Sequence, residues 1–381
     1  MERIYLDNAA TTQLDPEVID AMLPYMREHY GNPSAVHAFG RKARAGIEQA
    51  RRMVASLLNC APGEIVFTSC GTEADNMAIL GAVRDLGVRH LITSPIEHHA
   101  VEHVAQELER TQEAEVHWLR LTSEGKADLG HLEELLKAHD HVLVSLMHAN
   151  NELGSRNDLV AIGSLCRKYK ALFHTDTVQT MGHYRFNLEQ LPIDYLTCSA
   201  HKFHGPKGVG FLYMRNGSVV RPMIVGGAQE RNMRAGTENI IGIVALAKAM
   251  EVACRDLEAH QQHIQALKDR MRERVLQAIP GSSVNGDPGR DSLYTVLNFH
   301  FPDDGKGEML IYNMDIEGIA CSGGSACSSG SNKGSHVIEA LYPGRTGANI
   351  RFSFSKFNTE AEVDRTVDVL ERVMAPVKAG V

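Results

Sequence analysis

Ala171-Leu172-Phe173-His174-Thr175-Asp176 is a short apolar run that closes on polar residues, and Tyr195-Leu196-Thr197-Cys198-Ser199-Ala200-His201 repeats the pattern further on. Working outward, runs of the same kind occur at Glu64–Ser69, His90–Pro95, Val116–Leu121 and Val142–His148. Apolar runs of this length, bounded by polar residues, suit strands covered on both faces. Helical periodicity fills most of the intervals, for example Thr72–Leu86 and Asp158–Lys170. Such alternation predicts an α/β chain built on a mostly parallel sheet with right-handed crossovers.

Upstream, Asp15-Pro16 reads as a helix start, a capping residue followed by proline at the first helical position. Ile47, Ala50, Val54 and Leu57 mark one face of the next helix. Downstream, one long helical stretch is expected from about Ile240 to Ala278. A strand over Ser292–Phe301, a helix over Gly307–Met314, a Gly/Ser-rich stretch and a strand over Ile350–Ser355 follow. The last helix opens on the capping box Thr359-x-x-Glu362, with Val363, Val367, Leu370 and Met374 on its buried face. The expected organisation is a large domain over 15–255 and a smaller α+β domain made of 1–14 with 256–381.

Composition narrows the class. Of 381 residues, 43% are apolar and 23% charged, which is ordinary globular usage. The net charge of −8 argues against non-specific nucleic-acid binding, which needs a basic face. The N-terminal residues lack the apolar core of a signal peptide, and no stretch approaches a membrane-spanning length. A cytoplasmic protein without membrane or nucleic-acid partners is expected. The seven cysteines are odd in number and contain no C-x-x-C pair, so they read as reduced thiols, mostly core fillers. The nineteen histidines show no metal-ligand spacing, and most are expected on the surface or as helix caps, with no resident metal.

Ligands of open parallel sheets bind outside the carboxyl ends of the strands. Those ends are polar here. Ser199-Ala200-His201-Lys202, followed by Gly205-Pro206-Lys207-Gly208, puts a lysine at the end of an apolar strand. A partly desolvated lysine is a usable amine nucleophile toward carbonyls, whereas the bland reading is a solvated loop residue. Asp176, with Gln179 three residues on, could keep a pyridine-type nitrogen protonated, or could simply cap the next helix. Thr68-Ser69-Cys70-Gly71-Thr72-Glu73 joins strand to helix and could receive a phosphate, although many such turns contain glycine. Cys321-Ser322-Gly323-Gly324-Ser325-Ala326-Cys327-Ser328-Ser329-Gly330-Ser331 has the composition of a flexible connector. A thiol on it would be exposed and could travel between a buried site and an outside acceptor.

Taken in order, Tyr5-Leu6-Asp7-Asn8-Ala9-Ala10-Thr11-Thr12, Thr72-Glu73, Glu97-His98, Asn150-Asn151-Glu152, His174-x-Asp176, Gln179, Ser199-x-His201-Lys202 and Ser325-Ala326-Cys327 resemble the cysteine desulfurases. More narrowly they are similar to the NifS/IscS-like branch of the class V aminotransferases. The resemblance implies a fold-type-I homodimer using pyridoxal 5'-phosphate, with a large domain around a mostly parallel seven-stranded sheet. Its reaction would convert L-cysteine to L-alanine and leave the sulfur as an enzyme persulfide. It also implies roles. Lys202 would carry the cofactor as a Schiff base and move the proton; Asp176 would pair with the pyridine nitrogen and Gln179 with the ring hydroxyl. His98 would stack on the ring and serve as an acid/base group. Gly71, Thr72, Ser199 and His201 would hold the phosphate, joined by Thr237 from the other subunit, while Asn151 and Arg351 would hold the substrate carboxylate. Cys327 would take the sulfur, pass it to an iron–sulfur scaffold or a tRNA-thiolation enzyme, and transiently ligate a cluster.

The chain departs from the family pattern at Cys70, Thr177, Ala200 and Cys321. Two rival readings stand beside this one, a selenocysteine- or sulfinate-processing relative and a non-catalytic sulfur carrier or iron–sulfur binding scaffold using Cys321 and Cys327; a third, a zinc protein built on the histidines, fails for want of ligand spacing.

Overall fold

The computed structural model describes residues 3–302, 309–323 and 334–375. Its strands are β1 (Ile4–Tyr5), β2 (Ile65–Thr68), β3 (His90–Thr93), β4 (Glu115–Trp118), β5 (Val142–Ser145), β6 (Leu172–Asp176), β7 (Tyr195–Ser199), β8 (Gly210–Met214), β9 (Ser283–Val284), β10 (Val296–Phe301), β11 (Ile319–Ala320) and β12 (Ala348–Ser353). A seven-stranded sheet has the order β2-β8-β7-β6-β5-β3-β4. β8 runs antiparallel to both neighbours, and the other pairs are parallel.

The expected α/β class is therefore observed, and every expected strand of the sheet appears within a few residues of its apolar run. The antiparallel β8 was not among them. The chain reverses at Gly208, whose φ is +79°, and returns beside β7. The return needs glycine again at Gly210, where a Cβ would stand 2.3 Å from the Cys198 carbonyl oxygen.

Both faces of the sheet are covered. Ile47, Ala50, Val54 and Leu58, from the helix Ala38–Leu58, pack on one side with Ile243, Leu246 and Met250 of the helix Ile240–Arg255. Leu58 rather than Leu57 completes the first stripe; Leu57 is only partly buried. Ala74, Met77, Ala78 and Ala82 of the helix Gly71–Leu86 cover the other side with Val101, Val104 and Leu108 of the helix His99–Thr111. Asp15 caps the helix Pro16–Arg27 by accepting the Glu17 N–H at 2.8 Å.

The helical stretch expected as one piece is two, Ile240–Arg255 and Leu257–Ala278, broken at Asp256 (φ −107°, ψ 18°). The second helix turns away from the sheet and packs Ile264, Leu267, Met271 and Val275 against β10, β12 and the capped helix Glu360–Met374. β12, β10 and β9 form an antiparallel sheet there. β1 pairs in parallel with β11, and the Ser353 N–H donates to the Leu6 carbonyl at 2.7 Å, so the N-terminal segment is bound to this second core. Beyond β1 it returns to the large sheet, where the Thr12 N–H donates to the His201 carbonyl at 2.9 Å.

Candidate active site

The sheet order reverses direction between β3 and β5, and chains leaving those two strands diverge. Such a divergence opens a crevice at the carboxyl ends of the strands. A cleft of about 230 Å³ lies there, lined by His98 after β3, by Met147 and Asn151 after β5, and by Asp176 and Gln179 at and after β6. Lys202 and His201 after β7, Gly71 and Thr72 at a helix start, and Arg351 from β12 complete it. Ser199 lines it as well. Among the described residues, the sequence-singled one it lacks is Thr237. Thr237 lines an adjoining cavity with Ser69, Glu230 and Arg234, while Cys327, like most of its Gly/Ser stretch, lies outside the described residues.

Lys202 ends a short 3-10 turn, Ala200–Lys202, that follows β7 directly. Its Nζ donates to the carbonyls of Ala9 at 2.6 Å and Ala10 at 2.8 Å. Gln179 Nε2 donates to the same Ala9 carbonyl at 3.0 Å. The N-terminal segment thus crosses the cleft and holds both side chains, a long-range contact invisible in local sequence.

Asp176 is buried at the end of β6, and its Oδ1 accepts the Val178 N–H at 2.7 Å. Burial pushes its carboxyl up to about 7, and the nearby Asp75 adds to the rise. Asp75 lines the same cleft, is 1% exposed, and is itself pushed up to about 7 by burial. Its Oδ1 finds no hydrogen-bond partner; His174 Nε2 lies 3.3 Å away. Glu97 is a third buried acid, raised to about 8 by burial. Its carboxylate accepts the Ser94 hydroxyl at 2.7 Å and the Met147 N–H at 3.0 Å. Asp75 escaped the sequence reading because it sits inside a helix, where nothing local distinguishes it from a surface acid.

His98 caps the helix His99–Thr111, its Nδ1 accepting the Ala100 N–H at 3.1 Å. The proton of the neutral ring is thereby assigned to Nε2. Burial first, then the charge of Lys202, lowers its pKa to about 4. His201 is likewise lowered to about 4, by burial ahead of Lys202, and its Nδ1 meets the Thr11 hydroxyl at 3.2 Å.

The helix Gly71–Leu86 begins in the wall of the same cleft. Cys70 occupies the cap position without a side-chain capping bond, so the first-turn N–H groups face the cleft as an anion site. A Cβ on Gly71 would stand 2.7 Å from Val178 Cγ2. In the remaining corner Arg351 is 1% exposed; its guanidinium donates to Asp7 Oδ1 at 2.8 Å and to the Asn151 carbonyl at 2.9 Å. Its Nε is buried without a partner, an unmade bond that an incoming carboxylate could complete.

These groups fit pyridoxal phosphate. A buried acid able to keep a ring nitrogen protonated, an open helix start able to receive a phosphate and a lysine amine all line the one cleft.

The family model described as aminotransferase class-V matches residues 4–366. "Cysteine desulfurase 2" of Trichormus variabilis is 44% identical over 383 residues, covering 100% of this chain and 95% of the relative. "Cysteine desulfurase IscS" of Dictyoglomus turgidum is 41% identical, covering 98% and 95%. Among solved structures, a "NIFS-LIKE PROTEIN" superposes with a TM-score of 0.90 at 36% identity, covering 98% of this chain and 99% of its own.

Proposed function

The chain belongs to the class V aminotransferases and, among them, to the cysteine desulfurases, which use pyridoxal phosphate; on that premise we propose how its own residues divide the work. The observation that carries the assignment is the meeting of Lys202, Asp176, His98, Gly71 and Arg351, drawn from five separate segments, around one cleft.

When bound, the cofactor supplies an aldehyde that condenses with amines and a pyridinium ring that withdraws electrons from the substrate Cα. Asp176 holds the proton on the ring nitrogen, and Gln179 bonds the ring hydroxyl. Gly71, Thr72, Ser199 and His201 receive the phosphate, with Thr237 supplied by a second subunit of a homodimer. That last assignment is supported by the position of Thr237 outside its own chain's cleft. Arg351 and Asn151 orient the L-cysteine carboxylate. Lys202 Nζ takes the substrate Cα proton and returns it; His98, neutral at pH 7, stacks on the ring and exchanges its Nε2 proton.

Cys327 is the sulfur acceptor. Its thiolate forms an S–S bond as the substrate C–S bond breaks, giving L-alanine and an enzyme persulfide. Ser322, five residues before it, is bridged to Arg351 by backbone hydrogen bonds of 2.7 and 3.2 Å, and its hydroxyl donates to Asp7. An extended chain advances about 3.3–3.6 Å per residue, so five residues let the thiol reach into the cleft. From there the sulfur passes to a protein acceptor of iron–sulfur assembly or tRNA thiolation. Among the described residues no helix is long and apolar enough to cross a membrane.

Two variants test the proposal. Lys202→Ala is expected to lose both alanine formation from L-cysteine and the visible absorbance of the loaded protein. Cys327→Ala is expected to keep that absorbance and lose persulfide. Normal sulfide release by Cys327→Ala would overturn the assignment of the acceptor, and an unchanged spectrum in Lys202→Ala would overturn that of the amine.

A further inference from the structure

His90, His117 and His139 are far apart in the chain, and no spacing in the sequence marks them as ligands. The fold brings them together. In the parallel register of β3 and β4, His90 stands opposite Glu115 and Ile92 opposite His117. Side chains two residues apart on a strand share a face, so His90, Glu115 and His117 project together. His139 caps the carboxyl end of the helix Leu129–Ala138 and closes the group from a third element.

One ligand atom from each histidine lies within 4.8 Å of the others. His90 Nδ1 and His117 Nε2 are 3.1 Å apart, and the His139 ring lies 4.4 Å from that of His90 and 4.2 Å from that of His117 between centroids. Two nitrogens bound at about 2.0–2.1 Å to one tetrahedral ion stand roughly 3.3 Å apart, so the observed pair is already near a coordinating separation. The Glu115 carboxylate approaches to 3.5 Å from His90 Nδ1 and 3.8 Å from His117 Nε2. Each of the three histidines is partly exposed, leaving an entry path.

We propose that His90, His117, His139 and Glu115 form a site for one divalent zinc-class ion at the edge of the large sheet. Three imidazoles and a carboxylate suit zinc, or nickel and copper, over the oxygen-seeking magnesium and calcium. The site is separate from the active cleft. His90 opens β3, at the amino ends of the parallel strands, whereas the cleft lies at their carboxyl ends. A bound ion would tie the edge strand β4 to β3 and to the end of the helix Leu129–Ala138, and would stabilise the fold by linkage.

A second cluster, His99, Glu102 and His336, is the competitor. There the His336 Nε2 meets the Glu97 carbonyl oxygen at 3.0 Å; a carbonyl only accepts, so this nitrogen must carry the proton, whereas either ring can carry the one shared by His90 Nδ1 and His117 Nε2.

The test uses the loaded enzyme, stripped of metal by a chelator that is then removed. Zinc bound per chain is measured by equilibrium dialysis for wild type, His117→Ala, His139→Ala and His336→Ala, together with the zinc-dependent rise in Tm. Wild type and His336→Ala should bind one more equivalent than His117→Ala or His139→Ala, and the rise in Tm should vanish in the latter two. Metal-free His139→Ala, altered only at a helix end, should unfold and turn over L-cysteine like metal-free wild type. Equal zinc content in wild type and His139→Ala would overturn the proposal. So would an equivalent lost in His336→Ala but retained in His117→Ala.

Discussion

Replacing Asp176 by Asn separates the cost of burying a charge from its use. The carboxyl titrates near 7 in the fold against 3.8 in the unfolded chain, chiefly because burial disfavours its ionised form. A folded pKa raised above the unfolded one means stability that is present below about pH 3.8 and lost as the pH rises through about 7. Three units at about 1.36 kcal/mol each give roughly 4 kcal/mol of lost stability above pH 7 in the cofactor-free protein. Asp75 is pushed up in the same site, so the two acids titrate as a pair and this figure is an upper bound. The carboxamide can still accept the Val178 N–H, which now sits 2.7 Å from Oδ1, so the backbone is kept. Urea unfolding of the cofactor-free proteins at pH 8 should therefore find Asp176→Asn more stable than wild type by about 2–4 kcal/mol. At pH 5 the gap should shrink to about 1–2 kcal/mol. Turnover of L-cysteine should move the other way. Removing one partner of a buried charged pair costs about 3–4 kcal/mol, a loss of roughly 10²- to 10³-fold in rate. A cofactor-free variant no more stable than wild type at pH 8 would refute the desolvation argument. Turnover within about threefold of wild type would refute the pairing with the ring nitrogen.

Arg351→Lys should raise KM for L-cysteine by about 10- to 100-fold with a smaller change in kcat, because an ammonium cannot offer a carboxylate the guanidinium fork; steady-state kinetics decide. Gly71→Val should destabilise the protein by about 1–3 kcal/mol through overpacking against Val178, and weaken cofactor retention, measured by dialysis of the loaded protein. Acidification from pH 6.5 to 4 should lower stability, followed by circular dichroism. His98, His174, His183, His201 and His204 are lowered to about 4 and His148 to about 3, chiefly by burial. A histidine depressed in the fold gives stability that is full above the unfolded pKa and lost as the pH falls toward the folded one; these six outweigh the opposite trend of Asp75, Glu97 and Asp176.

The large sheet was legible because a strand buried on both faces must be largely apolar, as β2, β3 and β5 are; the edge strand β4 is more polar and half-exposed. β8 is also apolar but follows a glycine turn already read as part of the lysine motif, so its reversal was missed. Asp256 escaped notice because helical periodicity continues on both sides of it, while the two helices bury their faces against different cores. Residues at strand ends could be read as a site because polar groups closing apolar strands have no packing explanation. Asp75, the Ala9 carbonyl shared by Lys202 and Gln179, and the histidines at β3 and β4 carried no such contrast. Their significance comes from distant segments meeting.

Charge is distributed unevenly around the cleft, and that distribution discriminates between ligands. Asp75 and Asp176 both line the cleft, with carboxyls raised by burial, so a ligand that brings positive charge there relieves them. The uncapped start of the helix Gly71–Leu86 asks for an anion, and the unpartnered Arg351 Nε asks for a further hydrogen-bond acceptor. A plain phosphorylated metabolite would answer only the second demand, and a free amino acid, with its ammonium and carboxylate, would leave that one unmet. A phosphorylated pyridinium together with an amino-acid carboxylate answers all three. Arg351 is also shared, because Asp7 holds it and Ser322 in turn donates to Asp7. On the roles proposed for Arg351 and Cys327, a substrate carboxylate that takes the open Nε arrives beside Asp7, whose other partner is Ser322, five residues before Cys327. Substrate binding and the anchor of that segment would then meet at a single carboxylate.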